Sequence, residues 1–389
     1  MSVLVRLGLR AFQLSMSLKR SLYLDQIKAV IVALVIALHV PIAFGFGWIG
    51  VRIPVEGIVG PFFTGFFRWY GYAINSFIMP MMFLISGYFV PRSVHKKGVL
   101  RYLQGRLQRL GIPLVAGMLL INNSSIWLAR QSPGSPFAGQ AFNDLPFNTV
   151  IVLWFLVVLL AFDLFYCSWV WLRGDRYAVD TTVPVPAMRS WLMSAIALGV
   201  LEVVMAMQTN LWSALSRSPL NALAIQGPHV FTYAFLFFLG CKSSCHRWFE
   251  RLDGHLVLKW IRLSMFLLLS QFGLSMAVSF NNGLLEKDSS LVFPGVFFYP
   301  FIAWGILSYL FLWFQRNEDR FGKWLATAGI NSYGAYVIHS LVLVVVLMAI
   351  GFAGINPWLI AISSTVLSVF ISFGLAGQLR RIPAVARIL

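Results

Sequence analysis

A chain that crosses a bilayer must satisfy its own backbone hydrogen bonds, because the hydrocarbon core offers no water to do so. That constraint governs this sequence, which carries ten long apolar segments: roughly 27–47, 70–90, 110–129, 148–172, 189–208, 228–241, 259–280, 292–314, 331–352 and 356–377. A spanning helix needs about 20 apolar residues at about 1.5 Å each. Nine segments reach that length; 228–241 needs the preceding stretch 222–225. The alternation of barrel strands is absent. With 59% of residues apolar and 11% charged, too little polar surface remains to cover a water-soluble globule, and disorder is excluded. The chain reads as an all-α polytopic integral membrane protein of about ten transmembrane helices.

The basic residues set its orientation. They cluster before the first segment (Arg6, Arg10, Lys19, Arg20) and after the second (Arg92, Lys96, Lys97, Arg101, Arg106, Arg109). Further groups follow the fourth (Arg173, Arg176, Arg189), the sixth (Lys242, Arg247, Arg251, Lys259) and the eighth (Arg316, Arg320, Lys323), and Arg380, Arg381 and Arg387 close the chain. The intervening loops carry far less: Arg52 and Arg68, then Arg130, Arg217 and Lys287, then none. Basic loops stay inside, so both termini are expected in the cytoplasm. Residues 1–22 read as a basic amphipathic segment on the cytoplasmic face, 23–378 as the membrane domain and 379–389 as a basic tail. The net charge of +17 suits anionic lipid at that face rather than nucleic acid. Cys167, Cys241 and Cys245 are three thiols in or beside apolar runs and make no disulfide scaffold. Cys241, Cys245 and His246 lack a fourth ligand at tetrahedral spacing, so no metal site is expected.

Ionisable groups inside a span are costly and mark function by default. Lys28 and His39 lie eleven residues apart in the first segment. That spacing rotates a helix to within ~20° of whole turns and raises it ~16.5 Å, which stacks the two side chains on one face. Asp25, three residues before Lys28, is placed to pair with it. Arg106 and Arg109 share a helix face as a candidate phosphate fork, with a positive-inside anchor as the plainer reading. His339 lies in the ninth segment with Tyr336 one turn before it. Asp163 and Glu202 are further intramembrane carboxylates, each placed either to fix a histidine tautomer or to face a water-filled cavity, and His229 lies near the outer face.

Several blocks together resemble the acyltransferase type 3 family. They are Leu24-Asp25-Gln26-Ile27-Lys28-Ala29 with its basic-x10-His spacing to His39, and Met79-Pro80 running on to Ser86-Gly87-Tyr88. Arg106-Leu107-Gln108-Arg109 with Ile112-Pro113-Leu114 follows, then Leu153-Trp154-Phe155-Leu156, then Asn331-Ser332-Tyr333-Gly334-Ala335-Tyr336-Val337-Ile338-His339. The blocks run in order from about residue 22 to 375. Two departures stand out: Thr149-Val150-Ile151-Val152 replaces a small polar cluster, and Val157-Val158 occupies the place where relatives often carry a carboxylate. The closest likeness is to the compact branch that includes enzymes decorating periplasmic glucans.

The resemblance implies a membrane O-acyltransferase, moving an acyl group such as acetyl or succinyl from cytoplasmic acyl-CoA to a hydroxyl of an envelope glycan or lipid-linked acceptor. It implies a bacterial inner membrane and no permanently bound cofactor. His39, with His339 as a second candidate, is the expected catalytic group, as general base or as acyl-His nucleophile. Lys28, Arg106 and Arg109 are the expected acyl-CoA-binding cations, with Asp25, Ser86, Trp154 and Tyr336 in support. The competing reading, a transporter or flippase of a glycan or lipid-linked intermediate, calls for internal repeats that the sequence lacks.

Overall fold

The computed structural model describes residues 22–45, 49, 51–55, 58–140, 150–174, 179–218, 221–281 and 292–389. Each apolar segment becomes a helix. In chain order these are α1 Leu22–His39, α2 Pro61–Lys97, α3 Val99–Ala129, α4 Trp154–Arg173 and α5 Met188–Ala206, followed by α6 Val230–His246 and α7 Gly254–Phe280. α8 Val292–Arg316, α9 Gly322–Ile350 and α10 Pro357–Leu379 complete the bundle. Among the described residues nine helices are long and apolar enough to span a membrane; α6, with 17 residues, falls just short of them. The expected extension of α6 through 222–225 does not form. Asn221–Ala224 is a separate short helix, and Pro228 interrupts the path, since a proline disfavours helical backbone just before it. α6 runs further at its other end instead. The amphipathic segment expected over 1–22 falls outside the described residues except for Leu22.

Side-chain contacts sort the connections into two ends, as the charge alternation requires. At the basic end, Gln26 donates to the Glu318 carbonyl (2.8 Å) and Tyr88 to Glu250 (2.6 Å), and the Asp180 amide donates to the Cys245 carbonyl (3.0 Å). The tail returns to the bundle there, with Arg380 donating to the Ile330 carbonyl. At the opposite end Asn75 meets Gln226 (3.3 Å), Tyr72 donates to the Gly295 carbonyl (2.7 Å) and Phe63 packs edge-on against Trp358 (5.0 Å).

Two helices cross by close backbone approach. A Cβ placed on Gly87 of α2 would stand 2.0 Å from the Phe237 carbonyl oxygen, and one on Gly240 of α6 would stand 2.2 Å from that of Leu84. Small residues permit such contact in a membrane, where packing rather than water drives helix association. α3 is continuous but twice widens to π-type turns, at Leu107–Gly111 and Gly117–Asn122. Pro113 sits between them and cannot donate to the carbonyl four residues back, that of Arg109. That carbonyl accepts from the Tyr333 hydroxyl instead, at 2.6 Å. The RxxR-Pro block and the ninth-segment block are thus joined by one hydrogen bond.

Gly87→Ala is expected to lower stability by about 1–3 kcal/mol, because the added methyl meets backbone rather than a movable side chain. Gly71→Ala, where a Cβ meets nothing within 4 Å, is expected to leave thermal unfolding in detergent unchanged. Equal melting shifts for the two would show that the α2–α6 crossing does not require glycine.

Candidate active site

His39 is the last residue of α1, and Pro41 follows where the helix stops. α1 is unbroken from Leu22 to His39. Seventeen residues separate His39 from the helix start, about 25 Å along the axis. There it faces α9: the His39 and His339 rings lie 5.2 Å apart between centroids, tilted by 48°. Nδ1 of His39 is 2.6 Å from the Val35 carbonyl, and Nδ1 of His339 is 2.5 Å from that of Tyr336. A carbonyl only accepts, so each Nδ1 carries hydrogen and, in the neutral ring, Nε2 is the basic nitrogen. His39 is half-buried, whereas His339 is 0% exposed. His39 is therefore the more accessible of the pair.

Aromatic residues wall this pair. The Tyr336 ring lies 5.7 Å from His339 and 5.8 Å from Phe155, and its hydroxyl donates to the Val152 carbonyl at the start of the fourth span. Trp154 is 6% exposed, at 5.9 Å from Tyr233 and 6.3 Å from Phe83. The Leu-Trp-Phe block and the ninth-segment block therefore meet around the imidazoles. Ser86 is half-buried beside Gly87 on α2.

The cations lie toward the basic end in two separate groups. Lys28 Nζ is 3.3 Å from the Asp25 carboxylate and 5.1 Å from the Phe89 ring centroid, so it faces α2. Arg106 turns inward: its Nε lies 2.5 Å from Asp163 on α4, and the Tyr102 hydroxyl donates to the other carboxylate oxygen at 2.7 Å. Arg109, in the widened turn, is exposed. Asp163 occupies one side of Arg106, and Arg109 lies in the widened turn that follows. Asp163, for which the sequence suggested no definite partner, is 0% exposed and holds this arginine. Its signal in the sequence was a carboxylate inside a span, without an indication of its partner. Gln26, 0% exposed, and Asp25 anchor the start of α1: a Cβ on Gly329 of α9 would stand 2.0 Å from the Asp25 carbonyl oxygen.

A family model described as an acyltransferase domain matches residues 21–377, nearly the whole chain. The chain belongs to the type 3 acyltransferase family. No curated protein and no solved structure matches it. Family and fold together make it a membrane acyltransferase that transfers groups other than amino-acyl groups.

A large cavity in this acyltransferase lies elsewhere. About 650 Å³ opens among α5, α6 and α8, lined by Trp191, Phe235, Leu239, Trp304 and Phe311, with Lys242 at its edge. Its walls are almost wholly apolar and include neither histidine of the pair. Ser190, Ser194, Ser243 and Ser308 also line it, but no histidine or carboxylate does, so the imidazole pair remains the candidate centre.

The Arg106–Asp163 pair gives a stability test. Removing one member strands the other charge, which costs about 3–5 kcal/mol, while replacing both costs far less. Asp163→Asn is expected to lower the melting temperature markedly, and Asp163→Leu combined with Arg106→Met to recover most of the loss. A double variant as unstable as the single one would show that the pair is not the reason for the loss.

Proposed function

We propose that this acyltransferase moves an acyl group, such as acetyl or succinyl, from cytoplasmic acyl-CoA to a hydroxyl of an envelope glycan or related acceptor in a bacterial inner membrane. The observation that carries the reading is the His39–His339 pair, with His39 about 16.5 Å beyond Lys28 along α1. That interval is comparable to the reach of a pantetheine arm. The CoA phosphates would bind Lys28, Arg109 and the side of Arg106 turned away from Asp163, so the nucleotide stays at the membrane surface while the thioester reaches the imidazole.

In this mechanism His39 Nε2 takes the proton of the acceptor hydroxyl as its oxygen attacks the thioester carbonyl. The carbon–sulfur bond breaks, the ester forms, and the proton leaves with the CoA thiolate to give free thiol. Donation from Nδ1–H to the Val35 carbonyl keeps Nε2 as the acceptor nitrogen throughout. His339, enclosed and hydrogen-bonded to its own helix, packs behind His39 and orients it; Tyr336 and Trp154 keep water from the thioester. Asp163 and Asp25 hold Arg106 and Lys28 in place, so each counts as a positioning residue for donor binding.

His39→Ala is expected to reduce acyl transfer at least ~10²-fold with protein level in the membrane unchanged. Retained acylation, read by mass spectrometry of the envelope glycans, would remove His39 from the mechanism. Arg109→Ala is expected to weaken the thermal stabilisation that CoA gives the purified protein. Stabilisation equal to wild type would return Arg109 to the role of a membrane-surface anchor.

A further inference from the structure

The mechanism above uses neither Glu202 nor His229, yet the fold encloses them together. On α5 the buried residues Ala195, Leu198, Gly199 and Glu202 fall on one stripe, and a Cβ on Gly199 would stand 2.5 Å from the Phe297 carbonyl oxygen. The stripe that packs on α8 therefore carries a carboxylate, which is 0% exposed. A buried carboxylate is tolerated only when its oxygens are satisfied. Here one oxygen lies 2.8 Å from His229 Nδ1, and the other accepts from the Thr232 hydroxyl. His229 ends the short turn ahead of α6, its ring stacked on Tyr299 at 3.8 Å and 18°. Tyr299 in turn bonds Tyr233 (3.0 Å) and the Asn75 carbonyl (2.7 Å), and Asn75 bonds Gln226 (3.3 Å).

Three features make this more than a packed polar knot. First, the carboxylate fixes the imidazole tautomer: Nδ1 donates inward and Nε2 is left as a hydrogen-bond acceptor. Nε2 makes no hydrogen bond among the described residues, and the His229 side chain is 19% exposed. Second, no lysine or arginine pairs with Glu202 among the described residues, so the site repels phosphates and suits a neutral ligand that donates O–H. Third, it lies toward the end opposite Lys28, Arg106 and Arg109, and a run of aromatic contacts connects it to the imidazole pair. Tyr233 packs on Trp154 at 5.9 Å, Trp154 on Phe155 at 6.4 Å, Phe155 on Tyr336 at 5.8 Å and Tyr336 on His339 at 5.7 Å.

We propose that the Glu202–His229 dyad is the binding site for a neutral polyhydroxyl acceptor of the carbohydrate class, with His229 Nε2 accepting a hydrogen bond from one of its hydroxyls. The proposal rests on the acyl-transfer reading only for the fate of that acceptor, not for its binding. The two substrates would then be sorted by charge, the anionic donor to the basic end and the neutral acceptor to the dyad.

The test uses purified full-length protein and the neutral oligosaccharides released from the native host's envelope. His229→Asn keeps a donor near the Nδ1 position and removes Nε2; His229→Gln offers an acceptor near the Nε2 position. The oligosaccharides are expected to stabilise wild type thermally and to need at least a tenfold higher concentration with His229→Asn, with partial recovery in His229→Gln. Stabilisation by CoA is expected to stay at the wild-type level in both. With acetyl-CoA and succinyl-CoA as donors, transfer to the oligosaccharides should weaken in the same order, while hydrolysis of the donor by water persists. Oligosaccharide stabilisation that is absent in wild type, or unchanged in His229→Asn, would overturn the site. If wild type binds the sugars through His229 yet turns over neither donor, the acyl-transfer reading fails and the sugar site stands.

Discussion

The side-by-side packing of α1 and α9 is the constraint on which the candidate centre depends. The two helices run in the same direction from the basic end. Their approach there is so close that Gly329 leaves no room for a side chain against the Asp25 backbone. Further along, the same pair of helices brings His39 to His339, with ring centroids 5.2 Å apart. A shift of either helix along the other would uncouple the imidazoles, because neither donates its Nδ1 hydrogen across the interface; each gives it to its own helix. Packing fixes the pair, and the polar groups only orient the rings. Gln26, bonded to the Glu318 carbonyl, sets the depth of α1 from its start.

A bundle this apolar can hold few charges, and most of its cations lie toward one end. There Asp163 and Asp25 steady Arg106 and Lys28. The fully enclosed Glu202 lies toward the other end, steadied by His229 and Thr232. Between the two lies the aromatic wall of Trp154, Phe155, Tyr233 and Tyr336, which offers a dry boundary with few hydrogen-bonding atoms. Such an arrangement lets an anionic donor and a neutral acceptor approach one imidazole from opposite ends without competing for the same groups. The large, mainly apolar cavity among α5, α6 and α8 includes neither histidine of the pair.

Much of this architecture was legible in the residues. Period and length marked the helices, charge alternation marked their two ends, and α1 runs unbroken from Lys28 to His39. Local spacing could not say which helix faces which. The Arg106–Arg109 spacing could not show that Asp163 takes one side of Arg106. Asp163 and Glu202 were visible as misplaced carboxylates, but their partners lie 57 and 27 positions away in sequence, a separation that no periodicity reports. The extension of α6 failed for a local reason that was present all along, the Gly227-Pro228 step.

The most direct measurement is an experimental structure of the protein with a non-hydrolysable acyl-CoA analogue bound. The account predicts phosphates against Lys28, Arg106 and Arg109, and the acyl carbonyl within hydrogen-bonding range of a hydroxyl placed at His39 Nε2. An analogue whose acyl end lies in the cavity lined by Trp191 and Trp304, with His39 still packed away from it, would contradict the account.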